Sequence, residues 1–227
     1  TMNIPEPAMA DYLDLVALGT VADVVPLDAN NRVLVHQGLN RIRAGRCRPG
    51  ITALLDIASK QPAQLVATDL GFQVAPRLNA AGRLDDMSQG IECLLTGSVD
   101  LARQYASELD GLNIERRQIE GSMQKEAMHV LQTFSLDKEA LPFGLTLFHR
   151  DWHQGVVGIL AGRLKERFHR PVIAFASAAP GSDELKGSAR SIPGVHIRDV
   201  LDTVAARNPG LITRFGGHAM AAGLTLP

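Results

Sequence analysis

Between Ser98 and Phe134 the chain has no proline, and apolar residues recur at Leu101, Tyr105, Leu109, Leu112, Ile119, Met123, Ala127, Val130 and Phe134. Steps of three, four and seven put them on one stripe of an α-helix. Gly111 and Gly121 interrupt the run, but a glycine costs a helix interior only about 1 kcal/mol. One helix over this stretch would be roughly 50 Å long at about 1.5 Å per residue. That is longer than a small domain needs, so the spacing predicts a helix bridging two domains. The alternative is two shorter helices broken near one of the glycines. At 227 residues the chain has room for one large domain or two modest ones.

The two sides of this helix differ in pattern. Before it the chain reads as helices with short connectors. Tyr12 to Val25 is apolar nearly all round, which suits a buried helix. Asn30-Asn31 could cap a second helix running to Arg43, with Val33, Leu34, Leu39 and Ile42 inward. Gly45 to Gly50 is a breaker, and Pro49-Gly50 starts a short helix to about Ala58. Asp69 to Ala75 reads as helix leading into a tight turn over Pro76–Arg83, and Met87–Leu95 as another short helix. After Leu141-Pro142 strands and helices alternate. Strands are expected at Leu145–His149, Pro171–Ala176, Leu185–Ile192 and Ala219–Leu226. Helices are expected at Val156–Phe168, with Val157, Leu160, Ala161 and Leu164 on one side, and at Ile197–Ala206. The fold class is therefore α/β: a mainly helical first part, a long helix, and a second domain built on a sheet. The chain stops just after the last strand with no closing helix, so the second domain is expected to be cut short there.

Composition narrows the functions. No run of eighteen apolar residues occurs, so no membrane-spanning helix is expected. Thr1 to Pro7 lacks the basic start and apolar stretch of a secretory signal. Cys47 and Cys93, far apart, form neither a disulfide framework nor a zinc pattern, and are expected to be reduced thiols. Net charge is −1, so any grip on phosphate must come from local clusters. There are 18 Arg and 5 Lys. Arginine's planar fork suits phosphate oxygens, although GC-rich coding produces the same bias.

Five stretches could carry chemistry. Asp23, in Ala17–Leu27, is a carboxylate in an apolar helix, costly to bury unless paired or metal-bound; the other reading is an Asp at the helix end bonded to neighbouring backbone. In Pro76–Arg83, Arg77, Asn79 and Arg83 surround small residues. They either fork onto phosphates or form salt bridges at a helix corner. Trp152 and His153 precede the glycines Gly155 and Gly158 at a helix start, and a helix N-terminus attracts anions; Trp152 could equally plug a domain surface. Lys186, Ser188 and Arg190 alternate along a strand and so share a face, as a phosphate rail or as a solvated face. Last, Gly216-Gly217-His218-Ala219-Met220-Ala221-Ala222-Gly223 pairs glycines with one histidine among small residues. That suits backbone touching a ligand, with His218 aimed at it.

The Gly216–Gly223 stretch resembles the signature of the DHH-associated domain of DHH-superfamily phosphoesterases. Together with Ala17–Leu27, Pro76–Arg83, Trp152–Gly158 and Ser188–Ser191, in that order, the whole chain is similar to the single-strand-specific exonuclease branch of that superfamily. The resemblance implies two α/β domains joined by a long helix, with the active site in the cleft between them. It implies 5′-to-3′ hydrolysis of single-stranded DNA, in recombination and repair, using two Mn²⁺ or Mg²⁺ ions. Residues 1–97 would be the C-terminal part of the DHH catalytic domain, 98–136 the bridging helix, and 137–227 the substrate-binding domain. Asp23 would be a catalytic metal ligand. Arg77, Asn79 and Arg83 would line the DNA path, Ser188 and Arg190 would hold phosphate near the 5′ end, and Gly216, Gly217 and His218 would face the cleft. A single-strand-binding protein and a RecQ-type helicase are implied partners of the full-length protein, in the bacterial cytoplasm. The superfamily's Asp-x-Asp and Asp-His-His segments are not in this sequence, so the chain is expected to be an internal piece, inactive alone. The alternatives are a phosphodiesterase of the same superfamily acting on short oligonucleotides or cyclic dinucleotides, or a DNA-binding relative without catalysis.

Overall fold

The structure, a computed structural model, describes residues 8–133, 142–179 and 181–227. The chain divides into two compact units, Thr1–Glu115 and Arg116–Pro227. Phe134 lies outside the described residues, as does the side chain of Val130.

The first unit is helical. A 3₁₀ turn, Met9–Tyr12, leads into α1 (Leu13–Ala22), α2 (Ala29–Arg43) and α3 (Pro49–Ile57). After a second 3₁₀ turn, Pro62–Gln64, come α4 (Ala67–Asp69), a π-helical stretch Leu70–Val74, α5 (Ala75–Leu84), α6 (Ser88–Leu95) and the start of α7 (Val99–Thr133). The core gathers Ala17, Leu18, Leu39, Ile42, Leu54, Leu55, Leu70, Val74, Leu78, Cys93, Ala106 and Leu109. Burial raises the Cys93 thiol to about 11, so it packs as a small apolar group.

Several expectations shift here. α1 is shorter than Tyr12–Val25, and both of those end residues are exposed. Asp28, not Asn30 or Asn31, caps α2, its carboxylate accepting the Asn31 N–H at 2.8 Å. Val35, Gly38, Leu39 and Ile42 are buried while Val33 and Leu34 are exposed. Three consecutive apolar residues cannot all lie on one helical stripe, and the pairing of α2 with α1 selects Val35. Pro76–Arg83 is helix rather than turn: Pro76 stands in the first turn of α5, directly after the π-helical stretch Leu70–Val74.

Helix α7 is continuous through Gly111 and Gly121. Its buried residues are Ala102, Ala106, Leu109 and Asn113, then Met123 and Ala127, with none from 114 to 122. Leu101 is 46% exposed, because the neighbouring Ala102 takes the core position.

The second unit is a mixed five-stranded sheet among the described residues: β1 (Leu145–Phe148), β2 (Val172–Ser177), β3 (Leu185–Arg190), β4 (Arg214–Gly217) and β5 (Ala221–Leu226). The order is β1-β2-β3-β5-β4, with β1 and β2 parallel and the rest antiparallel. α8 (Val157–Phe168) connects β1 to β2, as a parallel pair requires. α9 (Ile197–Arg207) connects β3 to β4. β4 is a strand that the alternation of apolar residues does not announce. Only Phe215 is apolar among Arg214-Phe215-Gly216-Gly217, and glycines weaken a strand signal.

Candidate nucleic-acid interface

The two faces of this sheet are built differently. Directly paired residues share a face, and successive residues alternate. Phe175, Ala189, Ala222 and Leu224 turn to one side, where Ile197 and Leu201 of α9 close a core. On the other side, α8 packs on β2 and β3, over the fully buried Val172, Ala174 and Ala176. Its inner residues are Val157, Leu160, Ala161 and Leu164, as the helical spacing predicts. Beyond α8 the same face runs on through three cross-strand rows. Lys186 pairs with Thr225, which pairs with Arg214; Ser188 with Gly223, which pairs with Gly216; Arg190 with Ala221, whose carbonyl accepts the His218 N–H. A side chain added at Gly216 would meet nothing within 4 Å. The outer part of the face is therefore an open glycine-lined floor flanked by Arg214 and by Lys186, whose ammonium is paired with Glu184 at 2.7 Å. One groove on it, about 330 Å³, is lined by Lys186, Arg214, Gly216 and Gly223.

The separated motifs of the second unit meet at the inner edge of this floor. Arg190 Nη1 donates to Ser188 Oγ at 2.9 Å and to the Ala189 carbonyl at 2.9 Å. Both side chains abut the first turn of α8 at Gly158. A hydroxyl, a guanidinium and a helix N-terminus thus converge, and each favours an oxyanion. The loop leading into α8 is held from behind. Trp152 is 4% exposed, and its indole N–H donates to Glu126 of α7 at 2.9 Å. It is an anchored core residue rather than a surface plug. His153 fixes the turn, its Nδ1 accepting the Gly155 N–H at 3.1 Å and its carbonyl the Val156 N–H at 2.9 Å.

Gly216–Gly223 folds into a hairpin. The His218 N–H donates to the Ala221 carbonyl at 2.8 Å, closing a two-residue loop. The tip is tied down twice more: Ser191 N–H donates to the Met220 carbonyl, and Ile197 N–H to the Ala219 carbonyl, each at 2.9 Å. His218 stands exposed on this fixed tip. Gly217 has φ +148, and a β-carbon there would lie 2.4 Å from the Ala221 carbonyl oxygen. It is a hairpin residue that only glycine fits, while Gly216 is the one facing open space.

In the first unit the expected residues separate. Asp23 is not inside a helix: it is the C-cap of α1, with an exposed carboxylate. Val24 beside it has φ +54 and is 86% exposed. Its N–H donates to Val21 and the Val25 N–H to Thr20, so a β-branched residue holds a left-handed closing position that glycine normally takes. The buried carboxylate of α1 is instead Asp14, paired with Arg48. Arg77 is 8% exposed; its Nε donates to Asp110 at 2.8 Å and its Nη1 to the Gln73 carbonyl at 2.6 Å. It makes the intramolecular salt bridge rather than offering its fork outward. Asn79 is exposed and Arg83 partly so, four residues apart on one face of α5. Among the described residues no three His, Cys, Asp or Glu come together as a metal cage. One carboxylate at Asp23 cannot fix a divalent ion's geometry, so no catalytic step follows from this donor set.

Comparison with known proteins gives this arrangement its context. Residues 141–227 match the DHHA1 domain. The chain is 62% identical over 224 residues to the single-stranded-DNA-specific exonuclease RecJ of Dickeya dadantii, covering 99% of this chain and 38% of that protein. The similarity is to part of RecJ. RecJ of Escherichia coli K12 is 59% identical over 224 residues, and RecJ of Thermus thermophilus 33% over 225. The crystal structure of Thermus thermophilus RecJ in complex with Mg²⁺ matches 97% of this chain and 32% of that one, with a TM-score of 0.82. A RecJ structure bound to manganese matches all of this chain and 52% of its own, at 34% identity and a TM-score of 0.77. The chain thus spans well under half the length of the curated RecJ proteins of enteric bacteria that it matches.

Gly158 abuts Ser188 and Arg190, and Arg214 lies on the same face of the sheet, though residue type alone did not single them out. Gly158 is one of several glycines around a helix start. Arg214 joins the floor only through the β4–β5 pairing.

Proposed function

We propose that this chain is the strand-gripping portion of a metal-dependent 5′-to-3′ exonuclease that degrades single-stranded DNA in recombination and repair. The observation that carries the reading is the convergence of Ser188, Arg190 and the α8 N-terminus beside an open glycine floor. That is a shape for a sugar-phosphate backbone, which positions a strand without reading its bases. Residues 1–97 would close the DHH catalytic domain, 98–136 bridge, and 137–227 bind substrate. Ser188 and Arg190 would take a phosphate near the 5′ end, with Gly216 on the floor and His218 beside it on the hairpin that Gly217 shapes. Asn79 and Arg83 would line the path from the first unit, with Arg77 bracing their helix through Asp110. Asp23, held outward at the end of α1, would contribute one ligand to a Mn²⁺ or Mg²⁺ pair completed by other segments of a longer protein. A single-strand-binding protein and a RecQ-type helicase are the partners proposed for that protein, acting in the bacterial cytoplasm.

The test is a labelled 5′-phosphorylated single strand with Mn²⁺. This chain alone should show no shortening. In the longer protein, Asp23→Ala should lower cleavage by more than the roughly hundredfold typical of losing an outer-shell metal partner, with binding retained. Cleavage near the unaltered rate in that variant would remove Asp23 from the metal site.

A further inference from the structure

Thr225 pairs with Lys186 on one side and with Arg214 on the other. The two cations at the ends of this row are not equivalent. The Lys186 ammonium is held by the Glu184 carboxylate at 2.7 Å and donates to Thr225 Oγ1 at 3.2 Å, so its charge is met within the sheet. Arg214 makes no ion pair and no side-chain hydrogen bond among the described residues. By contrast Arg41, Arg48, Arg77 and Arg116 each hold a carboxylate oxygen at 2.8 Å or closer.

The backbone that carries Arg214 is fixed although its side chain is not. The Thr213 N–H and hydroxyl both donate to the Thr225 carbonyl, at 2.9 and 3.1 Å. Phe215 turns against the core that α9 closes, which puts Arg214 and Gly216 on the floor side. Arg214 lines the same groove as Gly216 and Gly223. Gly216 pairs through Gly223 with Ser188. Two strand spacings and two residue steps therefore separate Ser188 from Arg214, about 12 Å between backbones. A strand anchored at Ser188 that crosses the two glycines passes the Arg214 side chain. Its fork suits the oxygens of one phosphate and breaks no internal bond to take them. An arginine on an edge strand also discourages pairing with another sheet, a role that needs the charge but no DNA.

We infer that Arg214 is a second phosphate contact on the floor, taking a backbone phosphate further along the strand than the one at Ser188 and Arg190. The inference rests on the reading of this face as the path of a single strand. It gives that strand a direction, with its 5′ end at β3, its body over Gly223 and Gly216, and its continuation at β4.

The experiment measures anisotropy of the full chain with oligothymidylate, with and without a 5′ phosphate, across a salt series, for Arg214→Ala, Arg190→Ala and Arg207→Ala. Arg207 is an exposed arginine on α9, the helix that covers the opposite face of the sheet. Arg214→Ala should lower the slope of log affinity against log salt by about 0.7, equally on both oligonucleotides. It should melt as the unaltered chain does, because it gives up no internal bond. Arg190→Ala should cost more on the 5′-phosphorylated strand than on the other, and Arg207→Ala should leave the slope alone. If Arg190→Ala weakens binding while Arg214→Ala keeps the full slope, the second contact is wrong and the phosphate reading of Ser188 and Arg190 stands; aggregation of that variant would then mark Arg214 as a guard of the sheet edge. A loss in Arg214→Ala that disappears without the 5′ phosphate would put Arg214 on the same phosphate as Arg190 and overturn the inference. An equal loss in Arg207→Ala would overturn it too, by reducing the effect to overall charge. Should neither Arg190→Ala nor Arg214→Ala weaken binding, the strand does not use this face, and the inference falls with that reading.

Discussion

Arg48→Ala is expected to destabilise the helical unit by about 3 kcal/mol or more, the loss typical of stranding a buried charge. Asp14 is 1% exposed, and Arg48 holds it with both its Nη1, at 2.5 Å, and its own backbone N–H, at 2.9 Å. Nη1 also donates to the Asp11 carbonyl at 3.0 Å, and the guanidinium lies 5.1 Å from the centre of the Tyr12 ring. One side chain therefore ties the entry of α1 to the start of α3. Removing it leaves a carboxylate in the core with only N–H donors. For a unit of this size the melting temperature should drop by more than about 10 °C. Removing Asp14 as well should recover part of the loss, because no charge then remains buried. A drop of less than about 2 °C for Arg48→Ala would mean that the pair is solvated rather than structural.

The two glycines of the hairpin should respond in opposite ways. Gly217→Val puts a β-carbon within 2.5 Å of the Ala222 backbone at a φ of +148, a conformation that costs a β-branched residue on the order of 1–3 kcal/mol before any clash. The sheet unit should lose several degrees of melting temperature, and with them any binding. Gly216→Val points into open space, so the sheet should melt normally. The isopropyl group would then stand on the floor beside Gly223, between Arg214 and His218, and single-strand affinity should fall about tenfold. Equal melting in both variants would contradict the hairpin geometry. A stable Gly216→Val chain with unchanged affinity would show that the strand does not cross this floor.

The elements legible in the sequence were those whose pattern is local. α7 follows from proline-free periodicity, and α8 from Val157, Leu160, Ala161 and Leu164. Phase was less legible where alanine fills the core: Ala102 and Ala106 weigh little as hydrophobes, and Leu101 took their place in the pattern. Asp23 and Asp14 show the same limit for charge. Both are aspartates in an apolar tract, and only the partner brought by α3, Arg48, distinguishes the buried one. Arg77 was ambiguous because its partner, Asp110, lies 33 positions away. β4 was hidden by its glycines, and with it the placing of Arg214. The Ser188–Arg190 pair was legible because alternation on a strand is a strictly local rule. Its contact with Gly158 was not, since it depends on how α8 folds back over the sheet.

Arg190, and not Arg77, is the side chain expected to grip phosphate. The most direct measurement is single-strand affinity across a salt series for the unaltered chain, Arg190→Ala and Arg77→Ala. Each phosphate contact contributes about 0.7 to the slope of log affinity against log salt on a single strand. Arg190→Ala should reduce the slope by about that amount. Arg77→Ala should lower the melting temperature, by breaking the Asp110 pair, and leave the slope of the folded chain alone. An unchanged slope in Arg190→Ala, or an equal reduction in Arg77→Ala, would contradict that assignment.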